Sequence, residues 1–188
     1  MLKNKFLKIS FVTLLLFSNS CKEKEFIPPN SKSVKMGSAD RIVPTGTAKQ
    51  LLKYANKMAE VWNKKYSLIS INGSLIGIDG YNKSGDKLSK WMFNYESSET
   101  KTGYSIVFNG DNSVSWVEVS SYNNGNPIKD FIDSSEALDK AFKEGLKEGE
   151  YYTMELYNNK KGFNWTIGSK IKEENKYDIK LVVANENK

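Results

Sequence analysis

Apolar residues recur at Leu51, Ala55, Met58 and Trp62, a spacing of three or four that lines one face of a helix across residues 47–65. Thr47 followed by Gln50 supplies the pattern of a capping box at its start. The apolar period then falls to two in Tyr66 to Ile71, Leu75 to Ile78, Trp91/Phe93/Tyr95, Tyr104/Ile106/Phe108 and Val114 to Val119, which predicts strands. Asn109 and Gly110 between two of these segments predict a tight hairpin, since both residues tolerate positive φ. A second helix is expected from Asp133 to Ser135 onward, with Glu136 three residues after Asp133. It presents Leu138, Ala141, Phe142 and Leu146 and is predicted to stop at Gly149. Strands follow at Tyr152/Met154/Leu156, at Phe163/Trp165/Ile167 after a turn over 158–162, and at Tyr177/Ile179/Leu181/Val183.

A helix that buries one face, followed by strands of alternating polarity, predicts an α+β domain over residues 47–185, with two helices on one face of a curved antiparallel sheet. The order helix-then-strands occurs twice, over 47–122 and 133–185, so two tandem modules are a further expectation. Trp91-Met-Phe aligns with Trp165-Thr-Ile, and Tyr104-Ser-Ile aligns with Tyr177-Asp-Ile.

Ahead of this domain, Lys3, Lys5 and Lys8 precede an apolar stretch from Ile9 to Phe17, then Ser18, Asn19 and Ser20 before Cys21. Such a stretch is too short to span a bilayer and has the length of a signal-peptide core. The segment resembles the lipobox of bacterial lipoproteins, with Ser18 where that family usually carries Leu. The resemblance implies a signal over 1–20, acylation of Cys21, and attachment of the mature chain to a cell-envelope membrane, the outer membrane favoured, facing the periplasm or the surface. Cys21 is the only cysteine in the chain, so a disulfide within it is excluded. Residues 21–46 mix charge, Ser, Pro28, Pro29 and Pro44 without periodicity, a tether composition with a coil dimension of roughly 25 to 30 Å.

Within 47–185 the chain resembles the PepSY-like, broadly cystatin-like, domains of bacterial envelope lipoproteins. The resemblance rests on Ile78-Asp79-Gly80 ahead of Trp91-Met-Phe, on the run Ser134 to Ala141, and on Trp165-Thr-Ile before a closing strand. It departs at Ala184 to Asn187, where many members carry an Asp-x-x-Thr-Gly turn. It implies a role in modulating envelope partners, peptidases among them.

Composition narrows the chemistry. The formal charge is +6, but Lys3, Lys5 and Lys8 fall in a segment without acids, leaving about +3 beyond it. With Arg41 the only arginine, no nucleic-acid partner is expected. The absence of histidine excludes Ser-His and Cys-His nucleophile systems and most zinc and copper sites. No phosphate-binding glycine loop is present, and no cofactor is expected. Glu118, Glu155 and Asp178 occupy polar positions of alternating strands; a carboxylate-only hydrolase built on such groups is the enzymatic alternative. Asp79, Asn82, Ser84 and Asp86 form an oxygen-rich loop that suits a hard cation, although Lys83 and Lys87 compete for it and its spacing is not that of a calcium loop. Tyr151, Tyr157 and Tyr122 are the candidate contact residues for an envelope protein or, alternatively, for carbohydrate or peptidoglycan. The expectation is a lipid-anchored, non-enzymatic binding module.

Overall fold

The structure, a computed structural model, describes residues 36–39, 46–76, 90–111, 113–122, 126–149, 151–159, 162–171 and 176–185. Ten elements follow in order: β1 (Met36–Ala39), α1 (Ala48–Trp62), β2 (Tyr66–Ile76), β3 (Lys90–Ser97), β4 (Thr102–Phe108), β5 (Val114–Ser120), α2 (Ser134–Lys143), β6 (Tyr151–Asn159), β7 (Gly162–Ile171) and β8 (Lys176–Val183). The strands form one eight-stranded sheet in the order β1-β5-β4-β3-β2-β6-β7-β8, every pair antiparallel. The architecture is therefore α+β. Two meanders start side by side at β2 and β6 and run outward in opposite directions, each preceded in sequence by its helix.

Directly opposed residues of an antiparallel ladder share a face. The ladders thus place Val114, Trp116, Phe108, Ile106, Tyr104, Trp91, Phe93, Tyr95, Ile71, Met154, Leu156, Ile167, Trp165 and Val182 on one face. Those residues join Leu51, Ala55 and Met58 of α1 and Ala137, Leu138 and Ala141 of α2 in a single core cluster. α1 packs on β2, β3 and β4, and α2 on β7 and β8.

β2 is one strand of eleven residues, where the sequence predicted two. Its ladder to β3 slips between Leu68 and Ser70, making Ile69 the extra residue of a bulge. The slip lets Leu68 and Ile71, three apart, both enter the core. The break expected near Gly73 is absent because that glycine makes room: a Cβ there would lie 2.3 Å from the Trp91 ring, so the indole crosses over bare backbone. Trp91 then meets Trp165 edge to face at 6.3 Å, and the Trp165 indole N–H donates to the Ile132 carbonyl at 2.9 Å.

The two helices begin at one polar junction. Thr47 and Gln50 form the expected capping box of α1. Asp133 is the N-cap of α2, accepting the Ser134 N–H at 2.7 Å, and the same carboxylate accepts the Lys49 N–H at 2.9 Å and the Thr47 hydroxyl at 2.5 Å. Ser134 Oγ returns the exchange by accepting the Ala48 N–H at 3.0 Å. One carboxylate thus satisfies the otherwise orphaned donors of two helix starts.

Two expectations are corrected. α2 ends at Lys143, not at Gly149: Gly145 takes φ 89° and its N–H returns to the Phe142 carbonyl, which leaves Leu146 buried beyond the helix end. Glu136 makes no capping box and instead pairs with Lys140 at 3.5 Å one turn on. The hairpin expected at Asn109-Gly110 forms between β4 and β5, closed by Asn109 N–H to the Ser113 carbonyl at 2.9 Å, but without positive φ at either residue, since the positive φ angles among the described residues belong to Lys101, Gly145 and Gly162.

Asp133→Ala should lower the unfolding free energy by about 2 to 3 kcal/mol, because two caps and a charged acceptor are lost together. Urea melts would measure it, with Asp133→Asn intermediate; an alanine variant as stable as the parent would remove the junction from the account. Gly73→Ala should cost about 1 to 3 kcal/mol by forcing the indole of Trp91 aside, read as a lower melting temperature and altered tryptophan emission.

Candidate interaction face and groove

The other face of the sheet carries the alternate residues of every strand, and neither helix packs on it. Its central columns are polar: Ser70, Asn72 and Ser74 of β2, Thr153 and Glu155 of β6, and Thr166 of β7. This is the composition of an antiparallel face turned to water. β8 departs from it. Tyr177, Ile179, Leu181 and Val183 project from this face with 49, 62, 56 and 55% of their surface exposed. The sequence pattern of β8 read as a core stripe, yet the buried residues at that end are Val182 and Ala184, of the opposite parity. Asp178 and Lys180 share their side of the strand. The Tyr104 and Tyr177 alignment is corrected accordingly, since Tyr104 is buried on the helix side and Tyr177 is half-exposed on the other.

Tyr151 and Tyr157 stand on this face, half-buried, in the rows Ile76–Tyr151–Lys170 and Ser70–Tyr157–Asn164. Six residues along one strand separate them by about 20 Å. Tyr122 is engaged differently. Its ring covers Gly103, where an added Cβ would lie 2.5 Å away, and its hydroxyl bonds Ser105 and donates to the side-chain Oδ1 of Asn94 at 3.2 Å. Asn94 Nδ2 continues the chain to Ser70 Oγ at 2.8 Å, in the row that also holds Tyr157. Beside it Ser121 Oγ donates to Glu96. Tyr122 therefore braces a hydrogen-bonded polar patch, about 10 Å, or two strand spacings, from Tyr157. No compositional signal marks this role, because the Ser70, Asn94 and Ser105 partners come together only through sheet register.

A groove of about 260 Å³ lies elsewhere, between α1, the start of β2 and the segment 127–129. Leu52, Leu68, Pro127 and Ile128 give it apolar walls; Asn56, Tyr66, Ser67 and Lys129 give it a polar rim. Its polar atoms are partly committed, since Asn56 accepts the Tyr95 hydroxyl at 2.8 Å and the Ile128 N–H bonds the Leu68 carbonyl at 2.7 Å. The irregular segment carrying Pro127 and Ile128 shows neither helical nor strand periodicity, so its approach to β2 was not foreseeable from local pattern.

Four tyrosines form the titratable centre of this half of the domain. Burial, with a neighbouring charge second, pushes up the pKa of Tyr66 beside Glu60, of Tyr95 beside Tyr66 and of Tyr104 beside Glu118. Burial also raises Tyr122, partly offset by its bond to Ser105. At the β4–β5 loop the hydroxyl and N–H of Ser113 hold the exposed Asp111 carboxyl below its usual range.

The three carboxylates considered for hydrolysis do not converge. Glu118 and Asp178 lie toward the helices on β5 and β8, at opposite ends of the sheet, while Glu155 is exposed on the other face of β6. Among the described residues no group of three or more Asp, Glu or Cys side chains is placed to hold a metal ion. Cys21 and the loop residues Asp79, Asn82, Ser84 and Asp86 lie outside the described residues. No helix among the described residues is long and apolar enough to cross a membrane. Compared with protein-family profiles, curated proteins and solved structures, the chain matches none.

Buried tyrosines with raised pKa values keep their full stabilising effect below the unfolded-state pKa of about 10 and lose it as pH rises through the folded values. The melting temperature should therefore hold up to about pH 10 and fall above it, together with a late step in phenolate absorbance. Tyr104→Phe should flatten that decline. An unchanged alkaline profile in this variant would assign the linkage to other groups.

Proposed function

We propose that this chain is a non-enzymatic interaction module held at a bacterial cell envelope through an acylated Cys21 and the tether that follows it, of which Met36–Ala39 pair into the sheet as β1. In this reading the two helices cover one face of a curved sheet, and partners are met by the other. The observation that supports it is the exposed apolar row on β8, Tyr177, Ile179, Leu181 and Val183, set beside polar central columns on β2 and β6. Isolated exposed apolar side chains are ordinary, whereas an aligned row at a sheet margin is a feature of recognition surfaces.

The PepSY-like resemblance, and the tandem-module reading that accompanies it, are in keeping with helix-then-meander order in both halves, joined at β2 and β6. With the axis of the two halves at the Asn72 and Glu155 pair, Trp91 falls on Trp165, the alignment read from the sequence. An envelope protein is the partner this surface suits. The glycan alternative finds less support, since Tyr151 and Tyr157 are widely separated and Tyr122 is tied into its own hydrogen bonds.

Two measurements test the reading. Chain isolated from membranes should begin at Cys21 and carry acyl mass, with both features lost in Cys21→Ala; an unmodified cysteine would defeat the address. Photo-crosslinking amino acids at Glu155, Thr166 or Leu181 should form protein adducts in whole envelopes, whereas those at the exposed helix positions Lys57 and Lys143 should not. Equal labelling at both sets would defeat the assignment of the face.

A further inference from the structure

We infer that the occupant of the β8 margin is a second copy of this chain, docked strand to strand in a single register. The inference rests on the interaction-module reading and names its partner. The two margins of the sheet differ. β1 offers four residues of backbone, a short edge of the kind that resists pairing. β8 offers eight, without proline and without a register slip against β7. Such an edge, carrying a half-exposed apolar row, is suited to continuing the ladder with another strand.

The charges on β8 select the register. A two-fold axis perpendicular to the sheet keeps the helix layers of both copies on the same side, so each residue must face one of its own parity. If Ile179 faces its own copy, Asp178 faces Lys180 of the second chain twice, and Tyr177 faces Leu181 twice. Centring on residue 178 instead puts Asp178 against Asp178 and Lys176 against Lys180. Centring on residue 180 puts Lys180 against Lys180. Opposite charges directly across a ladder stabilise and like charges destabilise, so the Ile179-centred register is the one among these three that pairs opposite charges and opposes no like ones, with Lys176 facing Val182 at its two ends. Its apolar row is then continuous across the junction.

The ladder of about seven residues, near 24 Å long, would bury on the order of 900 Å² in total, at the small end of specific interfaces. Association should accordingly be weak, with Kd on the order of micromolar.

The full chain carrying Cys21→Ser provides the test. Adding Ile179→Cys places two thiols across the axis, at a Cα separation of about 4.5 to 5.5 Å that a disulfide accepts. Oxidation should then give a covalent dimer. Tyr177→Cys and Leu181→Cys should each remain monomeric alone and cross-link when mixed. In sedimentation velocity Lys180→Asp should weaken the dimer at least tenfold, and Asp178→Lys with Lys180→Asp together should restore it. Circular dichroism and melting temperature confirm that each variant is folded, which matters for Asp178 because it also accepts the Lys147 N–H at 2.8 Å.

Folded Ile179→Cys chain that fails to cross-link, or cysteines at 177, 179 and 181 that cross-link equally, would overturn the register. Wild-type chain that stays monomeric at hundreds of micromolar would overturn self-pairing. The interaction-module reading would survive either result if Leu181 still captured another envelope protein by photo-crosslinking, and would fall with it if β8 captured nothing.

Discussion

The fold depends on the junction at which one carboxylate serves two helices. α1 and α2 stem from chain segments whose linking hydrogen bonds span 84 to 86 residues, yet their first turns share Asp133, Thr47 and Ser134. Helix starts leave donors that water or a side chain must satisfy, and here each start supplies acceptors for the other. Neither helix can move along the sheet without breaking the cap of its neighbour. The packing of α1 over β2 to β4 and of α2 over β7 and β8 is thereby coupled, although the helices cover different halves of the sheet. Phe131 adds an apolar side to the same region, stacking edge to face on Trp165 at 6.1 Å with the Lys49 ammonium over its ring at 5.4 Å.

From that junction the two meanders diverge, and large aromatic side chains fill the space where they meet. Trp91 and Trp165 come from β3 and β7, on either side of the central β2–β6 pair, and they touch because Gly73 on β2 leaves nothing between them and the backbone. Tyr104 and Trp62 stack at 5.0 Å farther out, fixing the end of α1 against β4. The helix side is therefore packed from the centre outward. The opposite side is organised by hydrogen bonds through Ser70, Asn94, Ser105 and Tyr122, which tie four segments of chain without apolar burial of comparable extent.

Much of this was legible in the pattern of residues, and the misreadings have physical causes. The Thr47 and Gln50 box announced α1, and alternating runs announced seven of the eight strands because each buries one parity. The end of α2 was misplaced because two glycines, Gly145 and Gly149, compete as stops; only the left-handed φ at Gly145 distinguishes them. Gly73 falls in the gap between the two segments predicted where β2 is one strand, and the Trp91 ring that requires it comes from a different strand. β8 misled most. With Ile179, Leu181, Val182, Val183 and Ala184 all apolar, both parities look buriable, and ladder register rather than hydrophobicity decides that the longer series faces out. Of the candidate site residues, Tyr151 and Tyr157 have the opposite parity to the buried Tyr152 and Leu156, but that spacing alone leaves open how far each is exposed, and both are half-buried. The bracing role of Tyr122 needed cross-strand neighbours that no local spacing encodes.

The unequal margins of the sheet also set a limit on growth. A protein with two long, open strand edges can recruit copies at both and extend into a filament. Among the described residues the far side ends in the four residues of β1, half the length of β8, so a ladder begun at β8 finds no edge of equal length there. Pairing about a two-fold axis consumes the long edge of both participants and closes the assembly. Paired in that way, the border that leaves apolar side chains in water would oppose open-ended polymerisation rather than promote it.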